Sequence, residues 1–161
     1  MESTELAAYH EAGHALVALL LGCEVPQVTI EPDRDDGPAR EADTQVILRP
    51  DGLSARQFAE RAIQVRLAGP VAEMIYSGDP YHPGLVGEWA ADWRGAWEAA
   101  AVLQANEIAR LAYLEQVTRD LYRRLKDDRL WPALAALADE LLAHETLEGE
   151  QVEEIVQVWL R

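Results

Sequence analysis

A single cysteine, Cys23, occurs in 161 residues, which excludes an intrachain disulfide and any zinc ribbon built on several thiolates. No oxidising compartment is implied. A single lysine, Lys126, stands between Leu125 and Asp127. A phosphate-binding loop of the G-x-x-x-x-G-K-[ST] kind needs a Gly-Lys pair, so none is encoded in these residues. Cations as a class are scarce, with 14 Lys and Arg against 29 Asp and Glu and a formal charge of -15. A surface of that sign repels phosphate backbones and anionic headgroups, and nucleic acid is not expected as a partner. Long apolar runs are missing as well. The longest, residues 15–23, falls well short of the roughly 20 residues that a membrane-spanning helix needs. Nothing cationic precedes it as in a secretory signal, so direct membrane insertion is not expected and the cytoplasm is the default location.

What is present suits one compact domain over residues 1–161, because 49% hydrophobic and 27% charged positions can build a single core. Residues 4–21 read as a helix, with Glu2 and Glu5 near its positive end and Gly22 as its stop. Two β-branched runs, 25–30 and 45–48, read as strands on either side of an acidic loop at 32–43. Ser54 and Gln57 form a capping-box pattern that opens a helix ending near Ser77 and Gly78. A Pro- and Gly-rich loop at 79–87 follows, then helical character over 88–124 in one or two pieces, a helix from Pro132 to His144, and a last helix over 148–160. The expected fold class is mainly α with a small β-sheet (α+β).

Chemistry enters at His10-Glu11-Ala12-Gly13-His14, an H-E-x-x-H sequence inside the first helix. The i, i+4 spacing sets both imidazoles on one face, as a single tetrahedral zinc ion requires. Glu11 then stands beside the ion without ligating it, where a carboxylate can act as general base on water and later as general acid towards a leaving amine. The plainer alternative is two histidines packed on a semi-buried amphipathic helix.

A catalytic zinc takes three protein ligands and keeps one position open, so a third donor has to come from elsewhere. Asp92 is the first candidate, since Ala96, Ala99 and Leu103 continue its helical face inward. Glu88 lies one turn earlier on that face. Two like charges so spaced repel unless a cation or a proton intervenes, although acids in a first turn are also ordinary partners of the helix dipole. Glu73, within the apolar run 71–76, is a further candidate. It could instead accept the free ring N–H of a ligating histidine or pair with Arg66. His82 reads as a solvated loop residue or a weak ligand, and His144 as a cap on a negative helix terminus. Trp89, Trp93 and Trp97 recur every four residues and read as core packing.

With these residues assembled, the chain resembles the peptidase domain of the FtsH-type ATP-dependent zinc metalloproteases. The matching segments are Tyr9 before HEAGH-ALV, then VTIEP at 28–32, LAGPVAEMI at 67–75 and LLAHETLEGEQVEEIV at 141–156. The order is the family's, and the likeness extends over essentially the whole chain. Two departures stand out: Pro70 replaces an arginine, and Gly87 and Asp92 lie one residue further apart than in the family's T-G-A-x-x-D segment. The resemblance implies a helical bundle of the FtsH peptidase type, zinc on His10, His14 and Asp92, Glu11 as base, and a polypeptide as substrate. The family's transmembrane segment and ATPase module have no counterpart in these residues, so the expected activity is that of a stand-alone zinc metalloendopeptidase acting on unfolded or delivered chains. The resemblance leaves room for a homo-oligomer, because the family's peptidase domains form hexamers, and for a separate ATPase partner. The competing expectation is a catalytically inactive metal-binding interaction or regulatory domain.

Overall fold

A computed structural model describes residues 3–31, 43–79 and 82–161. Its elements in chain order are α1 (Ser3–Leu20), β1 (Glu24–Thr29), β2 (Asp43–Ile47), α2 (Ala55–Ser77), α3 (Ala90–Ala100), α4 (Glu107–Leu125), α5 (Leu130–His144), β3 (Thr146–Glu148) and α6 (Gly149–Leu160), with two 3-10 turns at Pro83–Leu85 and Gly87–Trp89 before α3. The chain is mainly α with one small antiparallel sheet, as expected. Most of the expected acidic loop, residues 32–42, lies outside the described residues. No helix among the described residues is long and apolar enough to cross a membrane.

The first helix is the spine. Residues 11–18 of α1, His14 among them, are buried without interruption, while His10 is half-buried, so the middle of this helix is enclosed on all sides and not along one face only. Helices α2 and α5 pack along it, and its small residues let them approach closely. A Cβ added at Gly13 would stand 2.6 Å from the Ala68 carbonyl oxygen and 2.7 Å from the Ala72 methyl. Leu16, Leu67, Val71, Leu134, Leu137 and Leu141 fill the surrounding core.

Helix ends follow the sequence signals closely at α2. The Ser54 hydroxyl accepts the Gln57 N–H at 3.1 Å, and the Gln57 side chain accepts the Ser54 N–H at 2.9 Å. At the other end Gly78 takes φ 79° and donates its N–H to Met74, a left-handed stop that glycine adopts without penalty. The expected helical stretch over 88–124 is divided after Ala100, and Asn106 restarts it by accepting the Ala109 N–H at 3.0 Å.

Strands run in the order β2-β1-β3, with both neighbours antiparallel to β1. The sheet thus holds a third strand where the sequence predicts only a link between helices. Three residues are too few for an alternation signal, and β3 exists because Val28 pairs with Leu147 and Thr29 with Thr146. Strand β2 stands at one edge, with Thr44 opposite Val28.

One contact ties the start of α1 to the end of α2: the Tyr76 hydroxyl donates to Glu5 Oε2 at 2.8 Å, while its ring stacks on Tyr9 at 3.8 Å between centroids. The Glu5 hydrogen bond is the largest influence on the phenol and, with burial and nearby negative charge, pushes its pKa up from 10.0 to about 12. A raised pKa in the folded state means that this tie contributes fully below pH 10.0 and is lost as pH climbs through about 12. An absorbance titration at alkaline pH should therefore show one tyrosine ionising after the others, and Tyr76→Phe should remove that late step. Simultaneous ionisation of all tyrosines near their ordinary value would contradict the assignment.

Candidate metal centre

Two helices bring three side chains to one point beside α1. His10 and His14 project from one face of that helix, and Asp92 comes from the first turn of α3. His10 Nε2 lies 2.8 Å from Asp92 Oδ2 and 3.0 Å from His14 Nε2, and the triangle closes at 3.3 Å between His14 Nε2 and Asp92 Oδ2. Among the described residues these are the three grouped closely enough to hold a metal ion.

The far nitrogens reveal the state of the near ones. His14 Nδ1 donates to the Val65 carbonyl oxygen at 2.6 Å, and since a carbonyl can only accept, the proton is on Nδ1. His10 Nδ1 donates likewise to Glu73 Oε2 at 2.6 Å. In the neutral imidazoles both Nε2 atoms consequently carry lone pairs, and these face each other and a carboxylate oxygen. Three acceptors meeting without a donor repel, so the site calls for a cation. A tetrahedral zinc ion with bonds of about 2.0–2.1 Å spaces its ligand atoms about 3.3 Å apart, close to the observed triangle. The donor set of two nitrogens and one carboxylate oxygen also suits zinc, so the residues present fit the metal.

Burial by itself would lower the His10 pKa, but hydrogen bonds to Asp92 and Glu73 and the charges of Glu11 and Asp92 outweigh it and raise it from 6.5 to about 10. Asp92 shows the converse: burial would raise its carboxyl, yet hydrogen bonds to His10 and His14 and their charges hold it well below the usual carboxylate range.

Glu11 sits outside the triangle, at its rim. It is only 6% exposed, its Oε1 accepts the Thr44 hydroxyl at 2.7 Å, and its Oε2 is 4.0 Å from His10 Nε2. The strand β2 therefore orients this carboxylate through Thr44, whose hydroxyl also reaches the Glu11 carbonyl at 3.2 Å. Glu73, also buried, lies behind His10, where its Oε2 additionally accepts the indole N–H of Trp89. Arg66 does not pair with Glu73 among the described residues; its Nη1 points to the other Asp92 oxygen at 3.9 Å.

The remaining sequence candidates are placed elsewhere or not described. Glu88 falls in the second 3-10 turn, and its side chain lies outside the described residues. His82 caps the first 3-10 turn by accepting the Gly84 N–H at 3.0 Å and meets Trp93 edge-on. His144 is exposed and pairs with Glu140 at 3.3 Å. Trp89 is 5% exposed, yet its indole makes a polar contact that a reading of pure core packing did not include. Thr44, the Val65 carbonyl and Gly69 also border the site, and no local sequence pattern marks them as doing so. A Cβ at Gly69 would fall 2.7 Å from both His10 Nε2 and His14 Cε1, so α2 can pass beneath the rings only with glycine there.

No family model matches the chain. It is 30% identical to the ATP-dependent zinc metalloprotease FtsH of Acidimicrobium ferrooxidans in an alignment that takes in 96% of this chain and 28% of that protein. Against ATP-dependent zinc metalloprotease FtsH 4 of Sorangium cellulosum it is 46% identical over 81 residues, 48% of this chain and 12% of that one. The chain spans little more than a quarter of the first relative's length, and over that span it is related to a region of FtsH, a zinc metalloprotease.

Proposed function

We propose that residues 1–161 form a single zinc metallopeptidase domain, corresponding to the peptidase part of FtsH, that hydrolyses peptide bonds of unfolded or delivered polypeptides. The observation that carries this reading is the convergence of three facing acceptors, His10 Nε2, His14 Nε2 and Asp92 Oδ2, with the Glu11 carboxylate at their rim. In it, His10, His14 and Asp92 hold zinc. Zinc bound there would supply Lewis acidity, polarising the scissile carbonyl and lowering the pKa of water towards about 7.

This chain's own residues do the rest. Glu11 Oε2 takes the proton of the attacking water and returns it to the departing amine, while Oε1 stays anchored on Thr44. Val65 and Glu73 hold the two Nδ1 protons, so that both Nε2 lone pairs remain directed inward. Among the described residues β2 is an edge strand, and its outer side would offer main-chain groups to an extended peptide, which registers a substrate without demanding one sequence. Such a site would act on chains already unfolded or fed to it by an ATPase partner, in a homo-oligomer or alone.

Zinc titration of the purified chain tests the reading. One equivalent should bind, cleavage of a reduced and alkylated protein should appear with it, and a chelator should abolish cleavage. His10→Ala should weaken zinc binding by more than about 100-fold, exceeding the loss typical of a supporting residue. Stoichiometric zinc without cleavage would favour a metal-binding interaction domain. Absence of zinc binding would overturn the metal centre itself.

A further inference from the structure

The buried carboxylate of Glu73 has an unusual set of partners. It is 7% exposed and flanked in α2 by Val71, Ala72 and Met74, all buried. Among the described residues no arginine or lysine pairs with it. Both donors that reach it, His10 Nδ1–H and the Trp89 indole N–H, converge on the same oxygen, Oε2.

We propose that Trp89 is a positioning residue for the metal centre, whose indole N–H fixes Glu73 Oε2 and thereby the angle at which the His10 ring presents Nε2 to His14 and Asp92. This inference rests on the zinc-peptidase reading above. A glutamate carboxylate held by one donor keeps rotational freedom about its last torsion. A second donor from another direction removes it. With Trp89 at 5% exposure, water has little access to replace a lost indole hydrogen bond, so its loss leaves a buried acceptor short of a partner.

The donor's neutrality matters as well. A guanidinium in that place would offset the Glu73 charge, whereas an indole leaves it to act on the imidazole and strengthen Nε2 as a donor to metal. Chain geometry reinforces the effect. Trp89 ends the 3-10 turn that leads into α3, and Asp92 follows it by three residues. One short stretch thus reaches both nitrogens of His10, through Glu73 at Nδ1 and through Asp92, which faces Nε2 across the candidate metal position.

The test is the zinc affinity of the full chain, read by competition with a chromophoric chelator. Trp89→Phe should weaken binding about 10–100-fold with an unchanged far-ultraviolet circular dichroism spectrum. Replacing Trp89 by its benzothienyl isostere, which keeps the shape and lacks the N–H, should give the same loss and separates hydrogen bonding from packing. In a double-mutant cycle with Glu73→Gln, the two losses should fail to add, as expected of residues acting through one another. An isostere binding zinc within about twofold of the parent, or strict additivity, would overturn the inference alone. A parent chain that binds no zinc would overturn the zinc-peptidase reading and this inference with it.

Discussion

Glu11→Gln should leave zinc bound at one equivalent and reduce turnover of an unfolded protein substrate by about 10²–10⁴-fold, the range general acid–base groups contribute. The amide matches the carboxylate in shape, and its oxygen can still accept the Thr44 hydroxyl that Oε1 accepts at 2.7 Å. It cannot take a proton from water. Retention of metal follows from position, since Glu11 Oε2 stands 4.0 Å from His10 Nε2 while the three converging atoms lie 2.8 to 3.3 Å from one another. The expected signature is a fall in kcat and in kcat/KM together, with metal content unchanged. Cleavage at the parental rate would remove Glu11 from the mechanism. Loss of zinc on this substitution would instead make Glu11 part of the metal's support.

Gly69→Ala should severely disturb the centre, although alanine is the better helix former by about 1 kcal/mol. The added methyl would stand 2.7 Å from His10 Nε2 and from His14 Cε1, closer than carbon and nitrogen tolerate. Neither ring can yield cheaply. His14 is held from behind by the Val65 carbonyl, and His10 by Glu73, each at 2.6 Å. The rings must give up those hydrogen bonds or α2 must move away from α1, where Gly13 meets Ala68 at close range. Overpacking of this kind costs about 1–3 kcal/mol, and zinc affinity should fall by more than about 100-fold, beyond the usual effect of a supporting group. Melting temperature and a zinc titration on the same sample decide it. Parental affinity in Gly69→Ala would show that the rings have room the structure does not assign them.

Much of the framework was legible because it depends on local periodicity. The first helix and its His10 and His14 pair, the Ser54 and Gln57 cap, and the Gly78 stop each depend on residues within a turn or two of one another. Asp92 was reachable by the same means, as an acid on an inward helical face. The break after Ala100 was less so, since Asn106 becomes a cap only once the preceding residues leave the helix. Strand β3 had no local signature at all, being three residues paired to β1.

Residue order alone placed two imidazoles together, because i, i+4 spacing on a helix sets them on one face whatever surrounds it, and it left Asp92, Glu88 and Glu73 as alternatives for a third donor. Tertiary structure alone decided which groups stand behind and beside them: the Val65 carbonyl and Glu73 at the Nδ1 atoms, Thr44 on Glu11, Trp89 on Glu73, and Gly69 beneath the rings. Those partners come from other elements, tens of residues away from the motif. A hydrogen bond depends on distances of a few tenths of an ångström, and such distances are set by how helices and strands pack, about which linear spacing says nothing.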